Sequence, residues 1–276
     1  MKKLGKILYY ILAVGLALAV ATYLIYEIVW QGVLDVSHIL RTLLLVATMI
    51  LAIYRVASGM GRGRKKHSEQ FFRERYGDLI GNAFTVPSTT SKQFFKALDY
   101  YQYNQPVKLT EAMCALAPQC TNNDERFAVM LFMAIGYDEM YMYEKAAEAY
   151  EQALLYRENS TAASNLGLCY QRLGNYEKAI DAYRYAIKAE PENAYAYNNL
   201  AQVYIRREEY EEALLYADMA IERKENFREA YSAKALAYAM RGEAEAYENA
   251  VRKYALYGGD KNWLIALAKD MGAEIV

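Results

Sequence analysis

A tyrosine-led motif recurs three times in the second half of the chain at nearly constant spacing. It occupies residues 143–146 (YEKA), returns 33 residues later at 176–179 (YEKA), and returns 34 residues after that at 210–213 (YEEA). Each copy is followed by alanines and bulky residues at matched positions, which are Ala146/Tyr150/Ala153, Ala179/Tyr183/Ala186 and Ala213/Ala217/Ala220. A period of roughly 20–50 residues indicates a solenoid of stacked supersecondary units. We therefore predict an all-α fold made of repeated helix pairs.

The segment that precedes each motif also repeats. Tyr137, Tyr170 and Tyr204 are equivalent, and Leu166-Gly167 corresponds to Leu200-Ala201. With these positions the sequence resembles the tetratricopeptide repeat (TPR) family, whose unit is a helix–turn–helix of about 34 residues with small residues where the paired helices cross. The repeat 160–193 carries nearly the whole family pattern, in Asn165, Leu166, Gly167, Tyr170, Ala179, Tyr183, Ala186 and Pro191.

We place the TPR-like repeats in residues 91–257, as an α-solenoid of about four to five helix pairs. Repeats 127–159 and 194–227 flank the complete one, and 228–257 has an inter-helix turn at Arg241-Gly242 that is shortened by about four residues. Residues 91–126 form a degenerate first repeat, in which Pro106 stands at the alanine site and requires a first helical turn. Residues 258–276 are predicted to form a C-terminal capping helix, with an apolar face made by Trp263, Leu264, Ala266, Leu267 and Met271.

Two apolar runs before the repeats predict a transmembrane helical hairpin in residues 1–57. Residues 4–26 are apolar apart from Lys6, long enough to cross a bilayer. Residues 39–57 span it only if Arg41 and Arg55 reach the interface, so an interfacial or re-entrant helix is the alternative. Ala19-Val20-Ala21 also permits a cleaved signal peptide, although the apolar run continues beyond it.

Cation placement predicts the orientation of this hairpin. The cations at the start of the first run are Lys2, Lys3 and Lys6, and those that follow the second run are Arg62, Arg64, Lys65 and Lys66. The only charged residues in the connection between the runs are the acids Glu27 and Asp35. The positive-inside rule then predicts a multi-pass protein of the cell membrane, with the N-terminus and the TPR domain in the cytoplasm.

Residues 58–90 read as a basic linker followed by an amphipathic lead-in helix. The linker, 58–66, is glycine-rich and cationic, which suits a flexible joint next to anionic headgroups. Helical spacing then relates Phe71, Phe72, Arg75, Tyr76, Leu79, Ile80 and Ala83. This face either lies on the membrane or covers the first repeat.

Several functions are disfavoured by composition. Residues 1–67 carry nine cations and two acids, a net charge of +7, so the remainder carries −8 of the total −1 and is a poor ligand for nucleic acid. Cys114, Cys120 and Cys169 form no CxxC pair, and the two histidines are His38 and His67. We therefore predict no metal site, no cofactor and no catalytic centre, and the protein is not expected to be an enzyme.

The resemblance implies that the first helix of each pair lines a concave groove for a protein or peptide partner. Carried onto this chain, the groove residues are Leu131, Ile135, Asp138, Ser164, Leu168, Gln171, Asn198, Gln202, Ile205, Ser232 and Leu236. Asn165 and Asn199 share one site in successive repeats, which agrees equally with reading of a peptide backbone and with the asparagine that is ordinary at this site in the TPR family. The leading hypothesis is a membrane-anchored scaffold or adaptor, and the alternative is an assembly factor or homo-oligomer that uses convex or terminal surfaces.

Overall fold

The computed structural model describes residues 67–273, which form twelve α-helices and a short 3₁₀ turn with no strand among them. The helices are α1 Glu69–Ile80, α2 Thr89–Gln102, α3 Pro106–Leu116, α4 Asn123–Glu139, α5 Tyr143–Tyr156, α6 Ser160–Arg172, α7 Tyr176–Ala189, α8 Ala194–Arg206, α9 Tyr210–Arg223, α10 Arg228–Arg241, α11 Ala244–Leu256 and α12 Lys261–Asp270. The predicted all-α solenoid is thus confirmed for these residues. The predicted spans 4–26 and 39–57 lie outside them, and no helix between residues 67 and 273 has the length and apolarity to cross a membrane.

Asparagine side chains fix where several helices begin. Asn159 Oδ1 accepts a hydrogen bond from the Ala162 amide at 2.8 Å before α6, and Asn193 Oδ1 accepts from the Tyr195 amide at 3.1 Å before α8. Such caps satisfy N–H groups that a first helical turn leaves unpaired. Asn193 Nδ2 also donates to Ser160 Oγ at 2.8 Å, so the cap of α8 is bonded to the start of α6.

Ten helices, α2 to α11, pair in sequence order, and the pairs stack. The second helix of one pair packs against the first helix of the next, and the first helices α6, α8 and α10 also contact one another in turn. Small buried residues stand at the same position in four successive first helices, namely Ala134, Gly167, Ala201 and Ala235. Because these residues are small, the paired helices approach closely and form one continuous core.

One left-handed residue forms the turn inside each pair, and it stands at the same repeat position. It has φ of +60° at Tyr141, +73° at Gly174, +63° at Glu208 and +72° at Gly242. The predicted shortening of the last turn is therefore wrong. Helix α11 begins six residues after Tyr238, as α7 begins six residues after Tyr170. Ala244 takes the usual tyrosine position, and Tyr247 is buried at the site of Ala179.

The first pair also has a different register from the one predicted. Asn104, with φ of +51°, is its left-handed turn residue, and Pro106 is the first residue of α3. Pro106 therefore lies in a first helical turn as required, where its missing N–H costs no hydrogen bond. However, it corresponds to Tyr176, and Leu109 rather than Pro106 occupies the alanine site.

The lead-in helix α1 covers repeats. It packs against the first helices α2 and α4, and Phe72 and Ile80 are fully buried. Arg157, which follows α5, donates a hydrogen bond from Nη2 to the Leu79 carbonyl at 2.7 Å and lies 3.7 Å from the centroid of the Phe127 ring. At the other end, α12 contacts α10 and α11 and buries Leu264 and Ala268, whereas Trp263 is 53% exposed.

Candidate partner-binding groove

Helix α8 is buried except along one narrow stripe. Tyr195 and Arg206 are exposed and Asn199 and Gln202 are half-buried, whereas every other residue of the helix is buried. The spacing of these four residues, i, i+4, i+7 and i+11, places them on one helical face. This face is the only part of α8 that a partner could contact.

The same face is accessible one repeat earlier. On α6, Thr161 and Arg172 are exposed and Asn165 and Leu168 are half-buried. Each lies 34 residues before its counterpart on α8, which gives the pairs Thr161/Tyr195, Asn165/Asn199, Leu168/Gln202 and Arg172/Arg206. We call these eight residues the central groove. It combines two amides and two cations at repeated positions with one aliphatic side chain.

The groove is closed on its N-terminal side by the chain itself. Phe132 of α4 corresponds to Asn165, but it is fully buried. The ring centroid of Tyr76 on α1 lies 6.2 Å from that of Phe132 and 5.5 Å from that of Tyr101 on α2. Helix α1 therefore occupies on α2 and α4 the face that α6 and α8 leave open.

The structure places the predicted groove residues in two groups. Half-buried positions are found for Ile135, Asp138, Ser164, Leu168, Gln171, Gln202 and Ser232. Leu131, Asn198, Ile205 and Leu236 are instead buried in the core. We correct the prediction for these four. At Asn198 and Ile205 the accessible residue is the next one along the helix, Asn199 or Arg206, whereas at Leu131 and Leu236 the next residue, Phe132 or Ala237, is buried as well. Only Leu168 and Gln202 of the predicted set belong to the central groove.

Some polar groups beside the groove are held by the core, and others are not. Asn165 Nδ2 donates to the Tyr150 hydroxyl at 3.3 Å, and the Tyr183 hydroxyl donates to Gln171 Oε1 at 3.1 Å. Burial raises the pKa of both tyrosines. Ser164 and Asn198 stand at equivalent positions of successive repeats. Their side-chain oxygens, Oγ and Oδ1, are buried without a hydrogen-bond partner among residues 67–273. Unsatisfied groups of this kind cost stability.

Opposite charges meet where α4 and α6 end. Burial raises the pKa of the Asp138 carboxyl, and the nearby Arg172 guanidinium opposes that shift. Burial and the charge of Asp138 together raise the pKa of Glu139. Cys169 Sγ lies 4.0 Å from Asp138 Oδ1, and burial raises the pKa of this thiol to about 12, which keeps it protonated and unreactive.

The described residues offer little material for a metal site. Between residues 67 and 273 no three His, Cys, Asp or Glu side chains are grouped so as to hold an ion. His67, the histidine of this range, is instead paired with Asp99, with Nδ1 at 2.9 Å from Oδ1.

Sequence reasoning missed Thr161, Arg172 and Arg206. Their signal was present, since each pair is separated by one repeat of 34 residues and lies on the helical face of Asn165 and Asn199. What the sequence lacked was the rotation of each helix about its axis. That rotation depends on how the second helices pack, and it decides between neighbouring residues such as Asn198, which is buried, and Asn199, which is half-buried.

Comparison with known proteins agrees with this architecture. Residues 142–189 and 170–226 match the family model described as tetratricopeptide repeat. No curated protein is significantly similar in sequence. A tetratricopeptide repeat protein from Parabacteroides merdae ATCC 43184 has a similar structure, with 22% identity, a TM-score of 0.55, and coverage of 65% of this chain and 67% of that one.

Two further solved structures are similar over most of their own length. YrrB, described as a TPR protein with an unusual peptide-binding site, has 15% identity and a TM-score of 0.56, and the match covers 74% of this chain and 99% of YrrB. MamA has 19% identity and a TM-score of 0.51, with coverage of 67% and 97%. At such identities the likeness shows the fold alone. The described chain thus has the fold of a TPR-type α-solenoid, and residues 142–226 match the tetratricopeptide repeat model.

Proposed function

We propose that this protein is a membrane-anchored adaptor whose central groove binds an extended segment of a partner protein on the cytoplasmic face. The repetition of the four accessible positions on α6 and α8 carries the proposal. An extended peptide repeats its backbone groups regularly, and a groove that repeats its own side chains can contact it at successive places.

The side chains of the central groove suit this ligand. An asparagine amide offers both donors and an acceptor, so Asn165 and Asn199 can each pair with a backbone amide of the ligand. Arg172 and Arg206 are exposed on the same face and would favour acidic side chains beside that backbone. The partner we infer is a neutral to acidic extended segment. The peptide-binding site of YrrB, a structure with the same type of fold, supports this use of the solenoid.

Anchoring rests on the sequence of residues 1–66. Two apolar runs, 4–26 and 39–57, are flanked by cations on the sides we assign to the cytoplasm. Protease treatment of right-side-out vesicles tests this placement. Protection of the region after residue 90 is expected, and its digestion from outside would refute the orientation.

Photo-crosslinking in native membranes tests the groove. A benzoylphenylalanine in place of Tyr195 is expected to capture a partner that the same probe in place of Leu155, an exposed residue of α5, does not capture. The double variant Arg172→Glu/Arg206→Glu should abolish the Tyr195 crosslink. The control Lys188→Glu/Arg252→Glu makes the same change in charge at exposed positions of α7 and α11 and should leave it intact. If the Tyr195 probe, the Leu155 probe and both double variants gave equal crosslinking, the central groove would be excluded as the binding site.

Self-association is the second candidate, and the C-terminal end of the solenoid favours it. Leu256 is 69% exposed on α11, and Trp263 of α12 is also exposed. Large apolar side chains at a solenoid end resemble an unpaired repeat face. Analytical ultracentrifugation of the full chain in detergent distinguishes the two candidates. A dimer that Trp263→Asp dissociates supports self-association, and a monomer at all concentrations excludes it.

A further inference from the structure

A tyrosine stands at one repeat position near the end of four successive first helices. The four residues are Tyr137, Tyr170, Tyr204 and Tyr238. In the first two pairs a lysine of the second helix lies over the ring. Lys145 Nζ is 5.8 Å from the ring centroid of Tyr137, and Lys178 Nζ is 5.0 Å from that of Tyr170. The two lysines are equivalent, and attraction between a cation and the face of a ring stabilises both contacts.

In the α8–α9 pair a second ring takes the place of the lysine. Tyr216 of α9 lies over Tyr204, with ring centroids 5.4 Å apart and ring planes 7° from parallel. Arg184 of the preceding pair donates a hydrogen bond from Nη2 to the Tyr204 hydroxyl at 3.0 Å. The face of the repeated tyrosine can therefore be covered by an aromatic ring as well as by a cation.

The last pair, α10–α11, has neither cover. Ala246 takes the position of Lys178, and Ala250 takes the position of Tyr216. A cleft of about 190 Å³ lies there, and Tyr238 beside it is half-buried. The lining residues are Tyr231, Lys234, Tyr238, Ala246, Asn249, Ala250 and Lys253. Pockets for whole small molecules measure roughly 300–1,000 Å³, so this cleft has room for a single side chain.

Two of the seven lining residues are lysines and none is an acid. Lys234 lies with its Nζ 5.8 Å from the ring centroid of Tyr238, and it is paired with Asp218 of α9. Lys253 is exposed on the rim and forms no ion pair with an acid of residues 67–273. A ring placed over Tyr238 would therefore have ammonium groups close to it, which its negative face attracts.

The acids next to the lining residues of α11 point elsewhere. At 100° per residue, Glu245 and Glu248 lie roughly 90° and 150° around the helix from the centre of its lining face. Glu248 is paired with Lys261 of α12, with Nζ 3.9 Å from Oε2. Their charges are thus directed away from the cleft.

The cleft is separate from the central groove. On α10 the residues equivalent to that groove are Glu229, Ala233, Leu236 and Met240. The α10 residues that line the cleft, Tyr231, Lys234 and Tyr238, lie roughly 160° around the helix from them. A partner segment in the central groove would leave the cleft open.

We propose that the α10–α11 cleft is a second docking site, which receives one aromatic side chain of a partner protein. The ring lies over Tyr238 as Tyr216 lies over Tyr204 one repeat earlier. Parallel, offset rings at such a distance attract each other beyond the burial of their surfaces. The inference goes beyond the proposed central groove and depends neither on it nor on the membrane anchor, because the residues that carry it all lie in α9 to α11.

Nuclear magnetic resonance of the full chain in lipid nanodiscs tests the cleft. The chain is labelled with ¹³C in its alanine methyl groups, so that Ala246 and Ala250 report from the cleft itself. The probes are N-acetyl-tyrosinamide and N-acetyl-leucinamide at equal concentrations. The tyrosine amide is expected to move both methyl signals in a saturable way, and the leucine amide is expected to bind severalfold more weakly.

Two variants close the cleft with covers taken from the earlier repeats. Ala250→Tyr reproduces the ring of Tyr216, and Ala246→Lys reproduces the cation of Lys178. Each variant also removes one alanine signal and so assigns it. In both, the tyrosine amide should no longer move the remaining signal. Ala244→Lys is the matched control, because it adds the same charge at an exposed residue on the opposite face of α11 and should leave binding unchanged.

Four results would overturn the proposal. The first is no movement of either signal with the tyrosine amide, and the second is equal binding of both probes, which would show no preference for a ring. The third is binding that persists in Ala246→Lys, a change at a half-buried position that remains informative if Ala250→Tyr fails to fold. The fourth is movement of both signals on dilution of the chain alone, which would identify a second copy as the occupant. Loss of the Tyr195 crosslink described above would affect the central groove only.

Discussion

Gly167 faces the ring of Tyr183 so closely that a Cβ added to the glycine would lie 2.7 Å from Cε1 of the tyrosine. No side chain fits that gap without movement of the ring, which is fully buried. We expect Gly167→Ala to destabilise the α6–α7 pair by about 1–3 kcal/mol, the usual cost of overpacking. Hydrogen exchange of the α6 and α7 amides measures this loss.

The next repeat supplies the control for this prediction. There the equivalent residues are Ala201 and Ala217, both buried. In a Tyr183→Ala background, Gly167→Ala reproduces that pair and should cost little. A full cost in both backgrounds would show that the glycine is needed for its backbone and not for the approach of the ring.

The left-handed turn residues make a second prediction, in which two substitutions have opposite effects. A Cβ at Gly174 would meet no atom within 4 Å, so Gly174→Ala tests the backbone alone and should lower the free energy of unfolding by about 1 kcal/mol. Glu208 already bears that backbone cost at φ of +63°. Glu208→Gly should therefore raise the free energy of unfolding by up to about 1 kcal/mol. Urea unfolding followed by circular dichroism measures both.

Glu208→Gln separates backbone strain from charge. It removes the charge beside Glu209 and keeps the Cβ, so its stability should stay close to that of the natural chain. If the glutamine variant gained as much as the glycine variant, repulsion between acids would be the cause.

The repeats could be predicted from the sequence because each is a local pattern. Tyrosine and alanine positions recur at fixed spacing, and the helices and their order follow. The register failed in the first and last pairs, where Pro106 and Ala244 stand at the site of the motif tyrosine. In each pair a tyrosine, Tyr103 or Tyr247, stands three positions away from that site. The groove prediction failed at Asn198 and Ile205, because neighbouring residues on a helix differ by about 100° and only packing against the second helices decides which of them is accessible. The position of α1 depends on contacts about 80 residues apart, such as Arg157 with Leu79, which periodicity does not encode.

Arg157 is the subject of the third prediction, because it ties α1 to the repeats. Its Nη2 donates to the carbonyls of Leu79 and Asp78 at 2.7 and 3.3 Å, and its Nη1 lies 3.6 Å from Asp124 Oδ1. Arg157→Met keeps an apolar side chain over Phe127 but removes these bonds, and hydrogen bonds from a charged donor contribute about 1.5–3 kcal/mol. We expect faster hydrogen exchange in α1, with little change in α8 to α11.

Arg126→Met is a matched control for that experiment. Arg126 also lies over a ring, 5.8 Å from the centroid of Tyr156, and its side-chain hydrogen bond goes to Asn123 within its own helix. Equal loosening of α1 in both variants would mean that Arg157 does not specifically hold the helix.

The fourth prediction concerns pH and the groove-flanking carboxyl of Asp138. Burial is the main cause of its raised pKa, so the folded chain binds this proton more tightly than the unfolded chain does. Below the ordinary aspartate pKa of about 3.9 both states hold the proton, and Asp138→Asn should then have little effect on stability. As the pH rises through the folded pKa, the folded state must bear a half-buried charge and loses stability, and the amide avoids that cost. At pH 7 the asparagine variant should therefore be more stable, by up to about 1 kcal/mol because half of the side chain is exposed to screening.

Urea unfolding at pH 3 and at pH 7 measures the difference, with Glu148→Gln on α5 as an exposed carboxylate that controls for the loss of one charge. The result also bears on the groove, because Arg172 is the cation that offsets the burial of Asp138. If Asp138→Asn were less stable than the natural chain at pH 7, attraction to Arg172 would outweigh burial. Arg172 would then be held by Asp138 and less free to bind an acidic partner. Arg206 would be the remaining cation of the central groove that is available to that partner.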